Sequence, residues 1–225
     1  MTASHLPILS LLETRILGVL YEKQHTVPDT YPLSLNALVA GCNQKTSRNP
    51  VMEVTEAEVQ AAIDSLKGPA LIMESSGGRV TRYAHNLEKA LRLPSQSLAL
   101  LTLLMLRGPQ TAGELRINCE RLHKFADISA VEGFLEELAE RPEGAFVMEL
   151  PRQPGARENR WTHLLSGPPA LEESPTAAHI PSERTADVTV GEIAALKANV
   201  ARLETEMDEL KVVVAQLCKE LGYQS

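Results

Sequence analysis

Aromatic residues make up only 4% of this chain of 225 residues, and Leu and Ala dominate instead, which favours helix. Cysteine is limited to Cys42, Cys119 and Cys218, with no CxxC pair. That excludes a disulfide scaffold and a spaced zinc site. The N-terminus has no basic segment of a secretory signal. The longest apolar run, Leu98 to Leu106, is too short to span a bilayer. The expected location is therefore the cytoplasm, with no membrane partner.

Basic charge is also lacking. The formal net charge is −7, whereas dedicated nucleic-acid binders usually carry a basic domain. The imbalance is uneven: residues 1–92 are net 0, residues 93–165 net −2 and residues 166–225 net −5. The two leading segments are near neutral, which neither supports nor excludes DNA. Also missing are a phosphate-binding glycine loop, a nucleophile elbow and a paired-acid motif. No carboxylate or cysteine sits at ligand spacing from His85 or His163. The expectation is a protein that is not an enzyme and has no cofactor or metal.

What is present is an internal repeat. Arg79-x-x-Arg82-Tyr83-x-His85 returns as Arg157-x-x-Arg160-Trp161-x-His163, offset by 78 residues. Pro32-Leu33-Ser34, Leu38 and Cys42 return at an offset of 77 as Pro109-Gln110-Thr111, Leu115 and Cys119. Val59, Ala62, Ile63 and Leu66 return at an offset of 72 as Val131, Phe134, Leu135 and Leu138. Three matches in the same order point to a duplicated unit.

Each copy has the same pattern. Leu12, Ile16, Val19 and Leu20 form one apolar helical face, and Ser34 is a candidate N-cap of a second helix through Cys42. Thr55 and Glu58 are spaced as a capping box for a third helix that buries Val59, Ile63 and Leu66 and ends at Gly68-Pro69. Strands at Leu71 to Glu74 and Arg79 to Ala84 flank Gly77-Gly78. In the second copy the helices run from Ser97 to Leu106, from Thr111, and from Ser129 to Glu140, and the hairpin pairs Ala145 to Leu150 with Arg157 to Leu164. Three helices followed by a hairpin is the winged-helix order. The fold expected is mainly α with small β-hairpins (α+β): winged-helix domains over 1–92 and 93–166, a linker over 167–187 and a coiled-coil helix over 188–222.

The coiled coil rests on Ile193, Leu196, Val200, Leu203, Met207, Leu210, Val214, Leu217 and Leu221, alternating steps of 3 and 4. Branched residues dominate the a positions and Leu fills d, the pattern of a parallel dimer. A homodimer is expected; the alternative is a helix folded back on its own domains.

Gly41-Cys42-Asn43-Gln44-Lys45-Thr46-Ser47-Arg48-Asn49-Pro50-Val51 resembles the signature of the YceH family of uncharacterised bacterial proteins. Leu106-Arg107-Gly108-Pro109-Gln110-Thr111 and Leu150-Pro151-Arg152-Gln153-Pro154-Gly155 are similar to that family too. The resemblance covers about residues 8 to 166 and implies a tandem winged-helix fold. It implies no activity, substrate or catalytic residue.

Between the second and third helices, copy one carries five residues more than copy two. This insert, with Asn43, Gln44, Lys45, Ser47 and Arg48, is rich in donors beside a helix N-terminus, where phosphates are favoured. Alternatively, Asn43, Gln44 and Arg48 bond the loop to the core. Arg79, Arg82, Arg152, Arg157 and Arg160 lie on the hairpins, where an exposed Arg reaches a phosphate or the minor groove. The third helices oppose major-groove readout, because Glu56, Glu58 and Asp64, and then Glu132, Glu136, Glu137 and Glu140, would face phosphates. Two readings follow. One is a dimeric regulator of transcription that binds double-stranded DNA through the insert and wings. The other is an adaptor that holds a protein partner through its acidic third helices and coiled coil.

Overall fold

The computed structural model describes residues 6–76, 80–153 and 155–169. Arg79, the 167–187 linker beyond residue 169, the heptad positions and Cys218 lie outside the described residues. All described residues fall within one compact unit, Met1–Leu171.

The chain is a mixture of helices and small antiparallel sheets, as the α+β expectation has it. Helix α1 spans Leu11–Thr26, followed by a short 3-10 turn, Pro28–Thr30. Strand β1 is Leu33–Ser34, and helices α2 and α3 are Leu35–Cys42 and Glu56–Lys67. Strands β2, Ile72–Ser75, and β3, Arg82–His85, close the first half. After α4, Leu87–Leu91, the second half runs α5, Ser95–Arg107; α6, Ala112–Asn118; α7, Ile128–Ala139; β4, Val147–Glu149; and β5, Trp161–His163.

Local chemistry sets the helix starts. Ser10, Thr55 and Thr111 each accept from the third backbone N–H of their helices, and Glu13, Glu58 and Glu114 reach back to the cap N–H. Each such cap is worth about 1 kcal/mol. Ser34 and Asp127 cap α2 and α7 by side chain alone. The expected helix α3 buries Val59, Ile63 and Leu66, and α7 buries Val131, Leu135 and Leu138.

The first sheet has the order β1-β3-β2, with Leu33 opposite Tyr83 and Ile72 opposite His85. The second pairs β4 with β5, and a single bridge from Gln110 to Trp161 stands where β1 stands in the first half. The duplication thus extends to pairing: Leu33–Tyr83 corresponds to Gln110–Trp161, and Ile72–His85 to Val147–His163. It extends to side chains as well. Arg82 donates to the Pro32 carbonyl at 2.8 Å, and Arg160 to the Pro109 carbonyl at 2.7 Å.

The strands differ from the expected spans at their outer ends. β1, only two residues long, was not foreseen, because it exists through its partner β3 and has no local pattern of its own. Helix α4 was also missed. It is a five-residue turn whose buried Leu87 and Leu91 are too few for a period, and it ends at Arg92 in the left-handed region, φ +52°.

The two halves share one continuous core. Their first helices, α1 and α5, pack against each other, and Gly18 makes the approach possible: a Cβ there would lie 2.8 Å from Leu106 Cδ2. Tyr83 and Trp161 are both buried and tie each hairpin to that core, and Cys42 and Cys119 are fully enclosed. Burial pushes both thiols up to about 12, so they behave as small apolar groups.

Candidate nucleic-acid interface

The insert between α2 and α3 is clasped at its base. Asn43 Nδ2 donates to the Val54 carbonyl and Asn43 Oδ1 accepts from the Val54 N–H, both at 2.8 Å. Arg48, for which a phosphate contact or a bond to the core were the alternatives, points inward and is 6% exposed. Its guanidinium grips the Glu22 carboxylate at 3.1 and 2.6 Å, and it donates further to the Gly41 and Ser47 carbonyls. Burial alone would raise the Glu22 carboxyl, but hydrogen bonding and charge from Arg48, with Lys23 beside it, hold it below its usual value. Beneath the same loop, Arg15 is completely buried and donates to the Cys42 and Pro50 carbonyls. Its burial in α1 carries no sequence signal, because charge and helical spacing gave no hint of a cation under the loop.

The insert also reaches the second half. The Asn49 N–H donates to the Leu106 carbonyl at 2.8 Å, and Arg107 donates to Ser47 Oγ and to Asn118 Oδ1, each at 2.9 Å. Two segments that carried the family resemblance, 41–51 and 106–111, are therefore in contact. Gln110, in the second of them, donates to the Leu103 carbonyl and accepts from Asn118 while its backbone bridges to Trp161. These two motifs form the joint between the halves.

The remaining expected residues are scattered. Gln44 accepts from Lys23 and donates to Thr46. Lys45 is exposed and makes no ion pair among the described residues. Ser47 is exposed, with its hydroxyl held by Arg107 and its backbone left-handed at φ +59°. Arg82 lies on the Pro32 and Thr30 carbonyls, and Arg160 pairs with Glu114 at 3.0 Å. Arg152 donates to Ala156 within its own hairpin loop, and Arg157 is exposed. Arg157 is exposed with no hydrogen bond or ion pair among the described residues, as are Arg92 and Arg121. The insert and the wings do not form one shared guanidinium cluster.

The acidic third helices are open. Glu132, Glu136 and Glu137 on α7, and Glu140 at its C-cap, are exposed and unpaired with any cation among the described residues. On α3, Asp64 is bridged by Lys67, which also reaches Glu74. Of the late-strand histidines, His85 is buried and His163 half-buried. The His85 ring accepts from the Leu87 N–H at Nδ1 and contacts Gln24 Oε1 through Nε2, and the His163 Nδ1 has no partner among the described residues. Among the described residues no His, Cys, Asp or Glu group of three gathers at metal-binding distance, and no helix is long and apolar enough to cross a membrane.

A family model described as "Protein of unknown function, DUF480" matches residues 9–156. A UPF0502 protein of Dechloromonas aromatica (strain RCB) is 62% identical over 218 residues, covering 97% of this chain and 100% of that protein. A UPF0502 protein of Methylibium petroleiphilum is 58% identical over 217 residues, covering 96% of this chain and 91% of its own. One from Burkholderia ambifaria is 57% identical over 214 residues, covering 95% and 89%. The resemblance first read in the 41–51, 106–111 and 150–155 segments is borne out, and the chain belongs to the DUF480 family of bacterial UPF0502 proteins.

Proposed function

We propose that this protein is a non-enzymatic, cytoplasmic adaptor built from two fused winged-helix modules and dimerised by its C-terminal heptads. It holds a protein partner and catalyses no reaction. The matching helix order, strand pairing and Arg–Pro bonds of the two halves support the winged-helix reading. One observation carries the adaptor reading over DNA. Arg48, the insert residue best suited to a phosphate, is enclosed on Glu22, while the carboxylates of α7 stand in solvent where a recognition helix would meet phosphates. Such a helix is repelled by DNA and attracted by a basic protein surface.

The test is affinity capture with the full chain from a nuclease-treated bacterial lysate. A stoichiometric protein partner that survives nuclease and weakens as salt rises is the expected result. An empty capture overturns the adaptor.

Exposed Lys45, Arg152 and Arg157 favour a second reading, double-stranded DNA held by the insert and second wing. A salt series on duplex binding decides it, because phosphate contacts release counterions. No duplex binding at low salt, or unchanged affinity in the Lys45→Ala, Arg157→Ala double variant, removes that reading.

A further inference from the structure

Three guanidiniums from different elements converge on the 41–50 segment. Arg15 of α1 donates to the Cys42 and Pro50 carbonyls, Arg48 to the Gly41 and Ser47 carbonyls, and Arg107 of α5 to Ser47 Oγ. Lys23 adds its ammonium on Gln44 Oε1 at 3.2 Å. One carboxylate answers them. Glu22 pairs with Arg48 and, at 3.4 Å, with Lys23. Arg15 and Arg107 have no ion pair among the described residues, and Arg15, 0% exposed, leaves its Nε without an acceptor. Desolvation, then the charge of Arg48, holds Arg15 below its usual value. Desolvation lowers Arg107 too, with Glu22 attracting and Arg48 repelling. Arg15, Arg48, Arg107 and Lys23 thus share a single carboxylate, and their burial strengthens the field of the excess charge.

The neighbouring acids do not cancel that excess. Glu53 is exposed on the insert, but so is Lys45. Glu120, just past α6, is matched by the exposed Arg121 and Lys124. Glu114, on α6 itself, is committed to Arg160 and to its own helix cap. At the surface the same segment presents donors. Lys45, Thr46 and Ser47 are exposed, and their backbone N–H groups reach no acceptor among the described residues. Ser47 is left-handed at φ +59°, and such a residue in a turn gathers successive N–H groups into an anion-binding concavity. Its hydroxyl, accepting from Arg107, keeps its own proton to donate. A guanidinium fork, an ammonium, a hydroxyl and backbone N–H groups suit an oxyanion with several acceptor oxygens.

We propose that the junction of the insert with α5 binds a phosphate group, taken by the Arg107 guanidinium, the Lys45 ammonium, and the hydroxyl and N–H groups of Thr46 and Ser47. Arg15 and Arg48 do not touch it; they supply positive potential from beneath. The group belongs to a small phosphorylated molecule or to a phosphodiester strand, which offer the same oxygens. This goes beyond the adaptor reading and does not depend on it: an empty protein capture leaves the phosphate site standing.

The experiment titrates pyrophosphate into the full chain by calorimetry, in chloride buffer at fixed ionic strength. Saturable binding is expected. Lys45→Glu should weaken it by about tenfold or more, the scale of a lost charged hydrogen bond, and leave the melting temperature of the free protein unchanged. Arg107→Gln should weaken it to a similar degree. Lys45 makes no ion pair among the described residues, so its variant tests the site even where Arg107→Gln loosens the joint. Lys89→Glu, an exposed cation on α4, should change nothing. A short DNA duplex that displaces pyrophosphate assigns the group to a phosphodiester; a duplex that does not assigns it to a small phosphorylated molecule. Absence of saturable binding, or unchanged affinity in Lys45→Glu, overturns the proposal. So does an equal loss in Lys89→Glu, because the anion would then be held by overall charge and not by this junction.

Discussion

Arg48 and Glu22 form a two-pronged ion pair, 3.1 and 2.6 Å, between the 43–54 insert and the middle of α1. The Arg48 side chain is fully enclosed, and the Glu22 side chain retains 18% exposure. A charge held this way is a structural element: removing either partner leaves the other poorly solvated.

Arg48→Ala should therefore cost about 3 kcal/mol in urea unfolding, the range of a broken buried pair. The Arg48→Met, Glu22→Leu double variant should lose clearly less than the sum of the single losses, because no charge is left behind. Additive losses would show that the two residues stabilise the loop independently.

The α1–α5 joint should be intolerant of volume. Gly18→Val places atoms where Leu106 Cδ2 and Cγ already lie within 2.8 and 2.9 Å of a modest Cβ. Leu106 is itself buried, so it has little room to retreat. Overpacking of this kind costs about 1–3 kcal/mol. Thermal unfolding should show the loss in a single transition for residues of both halves, since they share a core. Two separated transitions would contradict that.

Acid should destabilise the fold through two imidazoles, the buried His85 and the half-buried His163. Burial lowers His85 to about 4 from 6.5, with the charge of His25 adding to it, and burial alone lowers His163 to about 4. In the unfolded chain both bind a proton below about 6.5. The unfolded state then holds more protons, so stability is complete above 6.5 and falls as pH drops from there toward 4. Each histidine contributes on the order of 3 kcal/mol to that fall. His85→Gln should flatten the slope of unfolding free energy against pH over that window; an unchanged slope would mean that His85 is not the group responsible.

The paired Arg bonds of the two hairpins predict parallel behaviour. Arg82→Ala and Arg160→Ala each remove a solvent-exposed donor from a proline carbonyl. Each should cost about 0.5–1.5 kcal/mol, measured by denaturant midpoints. Arg160→Ala also breaks the exposed pair with Glu114, which adds little.

Much of the local structure was legible in the sequence. The 3-4 spacing of Val59, Ile63 and Leu66 places one face of α3 against the core, and Thr55 with Glu58 marks its start, because both signals lie within a helical turn. The repeat predicted that Tyr83 and Trp161 occupy matching places, and strand pairing puts them there. The candidate interface was far less legible. Lys45 is at the surface, and Arg48, for which the sequence left a phosphate and the core both open, is inside. No pattern near residue 48 records that a carboxylate from residue 22 waits beneath it.

The chain order by itself determined the helices, their caps and the copying of one unit into two, since these follow from spacings of a few residues and from self-similarity. Only tertiary structure decided that the halves fuse along Gly18 and Leu106, that the insert fastens them together, and that Arg15 and Arg48 are enclosed. Those outcomes depend on which distant atoms come within a few ångströms, and distance along a polypeptide does not encode distance through space.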